Sequence, residues 1–380
     1  MPVALPSRDR DLRLDFFRGL ANWWIFLDHI PNNIVSWITP RNYGFSDAAD
    51  LFVFISGYTA SFVYARIMLE RGFMIGTSRL LRRAWQIYVA HVLLFVIYLA
   101  EIGWLATRYD NPVFAQKFNV MGFLHDPFTT LYEGLILKFK PVNMDVLPLY
   151  IVLIACFPPV LWMMTRRRNL TLALSVTLYF AARHFDWNLP SYPSGGWYFN
   201  PFCWQLLFVL GAWLALGGAR ETMPVIQSST LLWAGGAYLL FALVMTMASS
   251  FPEFTQPLPD WLYDSFNPND KTNLAPYRFL HFVVIAFLVV RFVPRDWHML
   301  ERPVSWPLIV CGQQSLEVFC VGIFLSFAAY FVLVEVSSAI WMQVLISLLG
   351  VAVMTAVAAY RSWSKKIDKA PRAAATPLSV

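Results

Sequence analysis

The chain has 380 residues, of which 58% are hydrophobic and only 14% are charged. Soluble globular domains carry about 25% charged residues, so this composition excludes an ordinary soluble enzyme. The formal net charge is +6, but the basic residues lie in short segments between apolar runs, which excludes a nucleic-acid-binding face. The 4 cysteines show no C-x-x-C spacing, and no metal site is expected.

About ten apolar runs approach the ~20 residues that a membrane-spanning helix needs. Lipid cannot hydrogen-bond to exposed backbone groups, so each run is expected to be helical. The sequence therefore predicts an all-α, polytopic integral membrane bundle with about ten transmembrane helices. The runs cover residues 14–33, 48–66, 84–107, 146–165, 169–184, 202–218, 229–249, 277–294, 304–334 and 339–360.

The distribution of basic residues predicts the orientation of the bundle. Most of the 29 lysines and arginines fall in alternate loops between the apolar runs. Cytoplasmic loops carry an excess of Lys and Arg, so both termini are expected in the cytoplasm. Three parts follow: a cytoplasmic N-terminal segment (1–13), a membrane domain (14–360) and a disordered cytoplasmic tail (361–380).

The first apolar run carries a polar stripe. At about 100° per residue, an arc of roughly 60° contains Asp15, Arg18, Asn22, His29 and Asn33. Ionisable groups within a span usually mark function. Two interpretations stay open here: hydrogen bonding to neighbouring helices, or the lining of a hydrated cavity or substrate channel.

Three segments resemble a known superfamily. The segment RLDFFRGLANWWIFLDH (13–29) resembles the first-helix signature of the type-3 integral membrane acyltransferases, an Arg followed eleven positions later by a His. DLFVFISGY (50–58) and SRLLRRAWQIY (78–88) resemble the segments that follow it in that superfamily. In this chain the Arg and the His of the signature are Arg18 and His29.

Within that superfamily the chain is most similar to the OpgC family of osmoregulated periplasmic glucan succinyltransferases. The similarity lies in KPVNMDVLPLY (140–150), APYRFLHF (275–282) and GQQSLEVF (312–319). It implies transfer of an acyl group, most simply succinyl, from cytoplasmic acyl-CoA to a hydroxyl of a periplasmic glucan. It also implies a multi-pass location in the inner membrane of a Gram-negative bacterium.

The resemblance further implies which molecules the protein meets. Succinyl-CoA is expected as a co-substrate, with no tightly bound cofactor. The glucan acceptor and the lipid bilayer are the other expected partners. Association with glucan-synthesis proteins or with a second copy of the chain is left open.

The resemblance assigns binding of acyl-CoA to arginines. The eleven residues from Arg18 to His29 span about 16 Å of helix, similar to the length of a pantetheine arm. Phosphates held near Arg18 would then place the thioester near His29. Bidentate phosphate contacts are also expected from Arg79, Arg82 and Arg83, for which simple positive-inside anchoring is an equal alternative.

His29 is the candidate general base, because an imidazole can accept the proton of the acceptor hydroxyl at neutral pH. Asp28 adjoins it in sequence but points about 100° away on a helical projection, so it is expected to meet a different neighbour. The carboxylate that orients His29 is sought on another helix, at Asp50 or Glu317. Helix capping is the alternative for Asp50.

The substrate-binding candidates are more scattered, and each has a structural alternative. Arg278 is expected to pair with the free carboxylate of a succinyl group, or to sit at an interface. Trp197 is expected to stack on a sugar ring, or to belong to an interfacial aromatic belt. Hydrogen bonding between helices is the alternative for Gln313. The full set is Asn143, Asp145, Arg278, His281, Gln313 and Trp197.

Two other functions remain open on the sequence alone. In a transporter or flippase, the polar stripe of the first helix would line a path for a solute. In a structural or signalling bundle, the stripe would only hold helices together. Supplying labelled succinyl-CoA to vesicles with a glucan acceptor distinguishes transfer of the label from transport.

Overall fold

The computed structural model describes residues 11–368. The disordered tail was predicted to begin at residue 361, but the last helix continues to Ile367, so that part of the prediction is wrong. The rest of the predicted tail beyond residue 368 and the predicted segment before residue 11 lie outside the described residues. Within the described range, α-helices are joined by loops and short 3₁₀ turns, and β-structure is limited to an isolated bridge between Pro190 and Gly196. The prediction of an all-α chain is confirmed.

The helices vary from single turns to elements long enough to cross a bilayer. A π-helical turn, Leu214–Gly218, joins α8 to α9. In chain order the helices are α1 (Leu12–Asp28), α2 (Ala48–Arg71), α3 (Phe73–Arg108), α4 (Val113–Lys117), α5 (Met121–His125), α6 (Pro127–Leu135), α7 (Val146–His184), α8 (Pro201–Trp213), α9 (Ala219–Ile226), α10 (Ser229–Ser250), α11 (Pro252–Thr255), α12 (Asp260–Phe266), α13 (Pro276–Phe292), α14 (Trp306–Gln313), α15 (Ser315–Glu335) and α16 (Ile340–Ile367).

Seven helical stretches within residues 11–368 are long and apolar enough to cross a membrane. Each difference from the ten predicted runs has a structural reason. The first and eighth runs form α1 and α13, which have 17 residues each. The fourth and fifth runs lie together in α7. The ninth run is interrupted between α14 and α15, where Gln314 leaves the helical conformation (φ −112°, ψ 36°).

α7 folds back on itself. It has 39 residues, which would span about 58 Å if the helix were straight. Its backbone leaves the helical conformation at Arg167 (φ −139°, ψ 59°). Lys271 acts electrostatically on Asp145, just before the helix starts, and Arg183 near its end pairs with Asp270 at 3.1 Å. Because the two ends of α7 interact with the neighbouring residues Lys271 and Asp270, the chain must reverse direction at Arg167. The two arms of α7 are the fourth and fifth predicted runs.

The bundle has two ends, which we name by their residues. The His29 end contains the end of α1, where Asn33 donates a hydrogen bond to Ser347 of α16 at 3.0 Å. The basic end contains the α7 reversal at Arg167 and the junction of α2 and α3. α16 reaches the basic end with Arg361. Arginines thus gather at the end opposite His29.

α1 packs unusually closely against α14. A β-carbon on Gly19 would collide with the backbone oxygen of Leu308, and one on Gly312 would collide with the backbone oxygen of Asp15. Small residues let membrane helices approach each other to backbone contact. Lipid provides no hydrophobic driving force for helix association, so van der Waals packing at such contacts takes its place. α1 is therefore held firmly along the length that precedes His29.

A buried ion network joins the starts of α2 and α13. Arg278 donates to Oδ1 of Asp50 at 3.2 Å and to Oδ2 of Asp50 at 2.5 Å, and it lies 2.9 Å from Asp47. Lys271 pairs with Asp47 at 2.6 Å. Asp47 also caps α2 by accepting from the backbone N–H of Ala49 at 2.8 Å. Asp50 takes part in the same cap by accepting from the backbone N–H of Asp47 at 2.9 Å. Capping, the alternative given for Asp50, is therefore part of its role.

Breaking this network from one side should destabilise the fold. Asp50 is fully buried, and removing one partner of a buried ion pair costs about 3–5 kcal/mol. We expect Asp50→Asn to unfold at a clearly lower temperature than the wild type in detergent, followed by tryptophan fluorescence. Asp264→Asn, at an exposed position on α12, is the matched control. Equal midpoints for the wild type and Asp50→Asn would contradict the prediction.

Candidate active site

A cavity of about 600 Å³ lies at the His29 end. It forms where α1 stops: Pro31 follows the C-cap His29 by two residues, and a proline disfavours continuation of a helix. The chain then turns away and leaves space between α1, α4 and α16. The lining residues are Asp28, His29, Ile30, Pro31, Asn32, Asn33, Ile34, Ser36, Trp37, Arg41, Asn42, Lys117, Phe118, Val142, Asn143, Ile340 and Gln343.

His29 lines this cavity and is only partly buried. Its Nδ1 atom is buried without a hydrogen-bond partner among the described residues. Its backbone oxygen accepts a hydrogen bond from Nδ2 of Asn143 at 3.3 Å. The charges of Lys271, Arg41 and Asp47 all act on it. The imidazole thus faces a polar cavity without a carboxylate holding it.

Asp28 has its own partner, as its position on the helix predicted. Its Oδ1 accepts a hydrogen bond from the hydroxyl of Thr39 at 2.7 Å. The backbone oxygen of Asp28 accepts from Nη1 of Arg41 at 3.3 Å. Asp28 therefore fixes the turn that follows α1 and lines the cavity beside His29.

The geometry contradicts three expectations about residues near the start of α13. Both carboxylate oxygens of Asp50 accept from Arg278, so Asp50 does not orient His29. Arg278 is 2% exposed and engaged by that pair, so it is not open to a succinyl carboxylate. His281 is also buried, and its Nδ1 lies 2.7 Å from the hydroxyl of Ser46, which makes it an internal contact.

Glu317 and Gln313 lie away from the cavity. Glu317 pairs with Arg361 at 3.3 Å and with Lys365 at 3.4 Å. On α16, Arg361 follows Ser347, the partner of Asn33, by about 21 Å at 1.5 Å per residue. The prediction that Glu317 orients His29 is therefore wrong. Gln313, at the break before α15, does not line the cavity either.

Three of the predicted substrate-binding residues, Asn143, Asp145 and Trp197, lie in loops and have different surroundings. Asn143 lines the cavity, as expected for a substrate-binding residue. Trp197 is 4% exposed, and Nζ of Lys140 lies 4.2 Å from its ring centroid, so the ring is not open to a sugar. Burial lowers the pKa of Lys140 to about 8 and raises that of Asp145 to about 6. The opposite charges of Asp145 and Lys140 act on each other, and Nζ of Lys140 donates to the backbone oxygen of Leu137 at 3.1 Å.

The polar stripe of α1 mostly contacts neighbouring helices. Nη2 of Arg18 donates to the hydroxyl of Thr59 at 2.7 Å, and Asn22 donates to Ser315 at 3.1 Å. Because α1 ends at Asp28, the helical projection does not apply to Asn33. Interhelical hydrogen bonding is therefore confirmed for Arg18 and Asn22, while His29 at the end of the stripe reaches a cavity.

A second cavity, of about 510 Å³, lies at the basic end between α2 and α3. We name it the basic cleft. The predicted phosphate-binding residues Arg79, Arg82 and Arg83 line it together, and Arg66 and Arg71 line it as well. The sequence alone assigned no phosphate-binding role to Arg66 or Arg71. Arg18 does not line the basic cleft.

Several polar residues of the first cavity carry no signal in the sequence. Arg41, Asn42 and Lys117 come from loops and a helix of five residues, where periodicity gives no signal. Gln343 comes from α16 and donates to the backbone of Ser338 at 2.8 Å. These residues are brought beside His29 only by the packing of distant segments.

A family model described as OpgC protein matches residues 10–366. The chain belongs to the OpgC family. This membership indicates an acyltransferase-type role in glucan modification, and the long apolar helices make it a membrane protein. No curated protein and no solved structure gives a significant match to the chain.

In this OpgC-family chain, Asn143 supports the cavity through its backbone as well as its side chain. Its φ of 76° lies in the left-handed region, which costs most L-residues about 1–2 kcal/mol. We expect Asn143→Ala to melt at a lower temperature than Asn143→Gly, because glycine adopts this conformation freely. Both variants lose the bond to His29, so that loss cancels in the comparison. Indistinguishable melting temperatures in detergent would refute the expectation.

Proposed function

We propose that this OpgC-family protein transfers a succinyl group from cytoplasmic succinyl-CoA to a hydroxyl of a periplasmic glucan. The observation that carries the proposal is the placement of a cavity around His29 at one end of the bundle and the basic cleft at the other. An acyl donor bound at one side and an acceptor bound at the other need this separation. α1 runs between the basic end and the His29 end.

The proposed topology has about ten membrane crossings, counting α1, α13 and both arms of α7. The basic end is assigned to the cytoplasm, because cytoplasmic loops are enriched in Lys and Arg. Arg71, Arg167 and Arg361 all belong to that end. Both termini are then cytoplasmic, and the His29 end faces the periplasm across the inner membrane of a Gram-negative bacterium.

Accessibility to a membrane-impermeant maleimide checks this topology. Cysteines placed in a cysteine-free background at Ser194 and Pro257, both exposed, should react in spheroplasts. A cysteine at Arg167, exposed at the basic end, should react only after the membrane is opened. Labelling at Arg167 in intact spheroplasts would invert the orientation and remove the cytoplasmic donor.

For the donor, we propose that the basic cleft binds the phosphates of coenzyme A. Its arginines provide planar donors suited to bidentate phosphate contacts. Arg18 lies on α1, eleven residues before His29, along a path of about 16 Å. The pantetheine arm would follow this path so that the thioester reaches His29. The donor acts as a co-substrate and leaves as free coenzyme A.

For the chemistry, we propose that the unprotonated ring nitrogen of His29 takes the proton of a glucan hydroxyl. The hydroxyl oxygen then forms a bond to the thioester carbonyl carbon, and the C–S bond breaks. The thiolate leaving group accepts the proton from the imidazolium, which restores neutral His29. The products are a glucan ester and coenzyme A, so no other reactant is required.

His29→Gln tests this proposal, because glutamine forms hydrogen bonds but does not titrate. Losing a general base typically lowers the rate by about 10²–10⁴, whereas a lost interhelical hydrogen bond costs about 1 kcal/mol. We expect a monodisperse variant that binds succinyl-CoA normally and transfers almost no label to glucan. His125→Gln, at an exposed position on α5, should keep wild-type turnover.

Two results would count against the proposal. Near-normal turnover by a folded His29→Gln variant would remove His29 from the chemistry. Movement of unmodified labelled solute across vesicles that hold the wild type, without ester formation, would favour the transporter. If the variant aggregates, His29→Asn with the same three measurements replaces it.

A further inference from the structure

The cavity at the His29 end has an excess of positive charge. Apart from His29 itself, the ionisable residues that line it are Asp28, Arg41 and Lys117. Arg41 and Lys117 are both exposed to it. Two cations against one carboxylate favour an anion in this space. A neutral sugar hydroxyl and a neutral acyl group would gain nothing from this charge.

Arg41 is the cation best placed to bind that anion. Its Nη1 donates to the backbone oxygen of Asp28 at 3.3 Å, which puts the guanidinium beside the residue that precedes His29. The acceptor is a neutral carbonyl, and a guanidinium has five N–H donors. The remaining donors can bind a carboxylate in a bidentate arrangement.

Two other cations near this end of the bundle, Arg278 and Lys271, are already paired with carboxylates. Arg278 is bound by Asp50, and Lys271 is bound by Asp47 at 2.6 Å. Neither of these two cations lines the cavity. Arg278 is therefore not available to bind the free carboxylate of the acyl group, and another residue must do so.

The turn that carries Arg41 is held in place. Arg41 lies in a 3₁₀ turn, Pro40–Asn42. On one side of it, Thr39 donates to Asp28 at 2.7 Å. On the other, Nδ2 of Asn42 donates to the backbone oxygen of Ser36 at 2.8 Å. A side chain on such a fixed turn can contribute to specificity, because little ordering is needed when a ligand binds.

We propose that Arg41 selects a dicarboxylic acyl group by binding its free carboxylate while the thioester carbonyl lies beside His29. The inference rests on the acyl transfer proposed above and identifies the residue that distinguishes succinyl from neutral acyl groups. In a succinyl thioester, two methylene groups separate the free carboxylate from the reacting carbonyl. Lys117 strengthens the local positive potential.

The test compares two donors on each variant of the purified full-length protein. Transfer to glucan is measured with succinyl-CoA and with acetyl-CoA, and the ratio of their kcat/KM values is the readout. A charge-assisted bidentate contact is worth about 10- to 100-fold in such a ratio. We expect Arg41→Gln to lower the succinyl-to-acetyl ratio by about that factor and Arg41→Lys to restore part of it.

The matched control is Arg108→Gln, which removes an exposed arginine at the end of α3 that does not line the cavity. It should keep the wild-type ratio. If Arg41→Gln also keeps the wild-type ratio, Arg41 does not select the acyl group, although acyl transfer itself still stands. If the wild type transfers neither group, the acyltransferase proposal fails, and this inference fails with it.

Discussion

A cation buried in a protein core must be paired, because an isolated buried charge is costly. Arg278 meets this constraint through Asp50 and Asp47, and the pairing fixes the starts of α2 and α13 relative to each other. Lys271 pairs with Asp47 of this network and brings the loop before α13 against it. Because the charges of Asp47 and Lys271 act on His29, the network that holds these helices also contributes to the electrostatic surroundings of the candidate base.

The close contact of α1 with α14 also helps to fix the position of His29. Glycines at that crossing leave no room for side chains, so α1 cannot shift without losing backbone contact. Its rigid length ends at His29, just before Pro31. Beyond that point, the chain turns through Thr39 and Arg41 and closes one wall of the cavity. The helix positions His29, and the loop after it provides the charged Arg41 and one wall of the cavity.

An excess of positive charge at both ends of the bundle gives a physical basis for the proposed function. The basic cleft concentrates arginines where the α2–α3 junction meets the cytoplasm in the proposed topology. The His29 cavity has a smaller excess of positive charge. An anionic donor would be drawn to the first site by its phosphates and to the second by its acyl carboxylate. One molecule could then satisfy both sites across the length of α1.

The sequence by itself determined the all-α class, the apolar helices and the family, and it singled out His29 and the Arg79–Arg83 segment as candidates. These follow from local composition, hydropathy and short motifs, which need no knowledge of neighbours. The partners of Asp50, Glu317 and Arg278 were decided only by tertiary packing. So was the inclusion of Arg41 in the cavity. A side chain's partner depends on segments hundreds of residues away, as between Asp50 and Arg278, and periodicity along one segment carries no information about them.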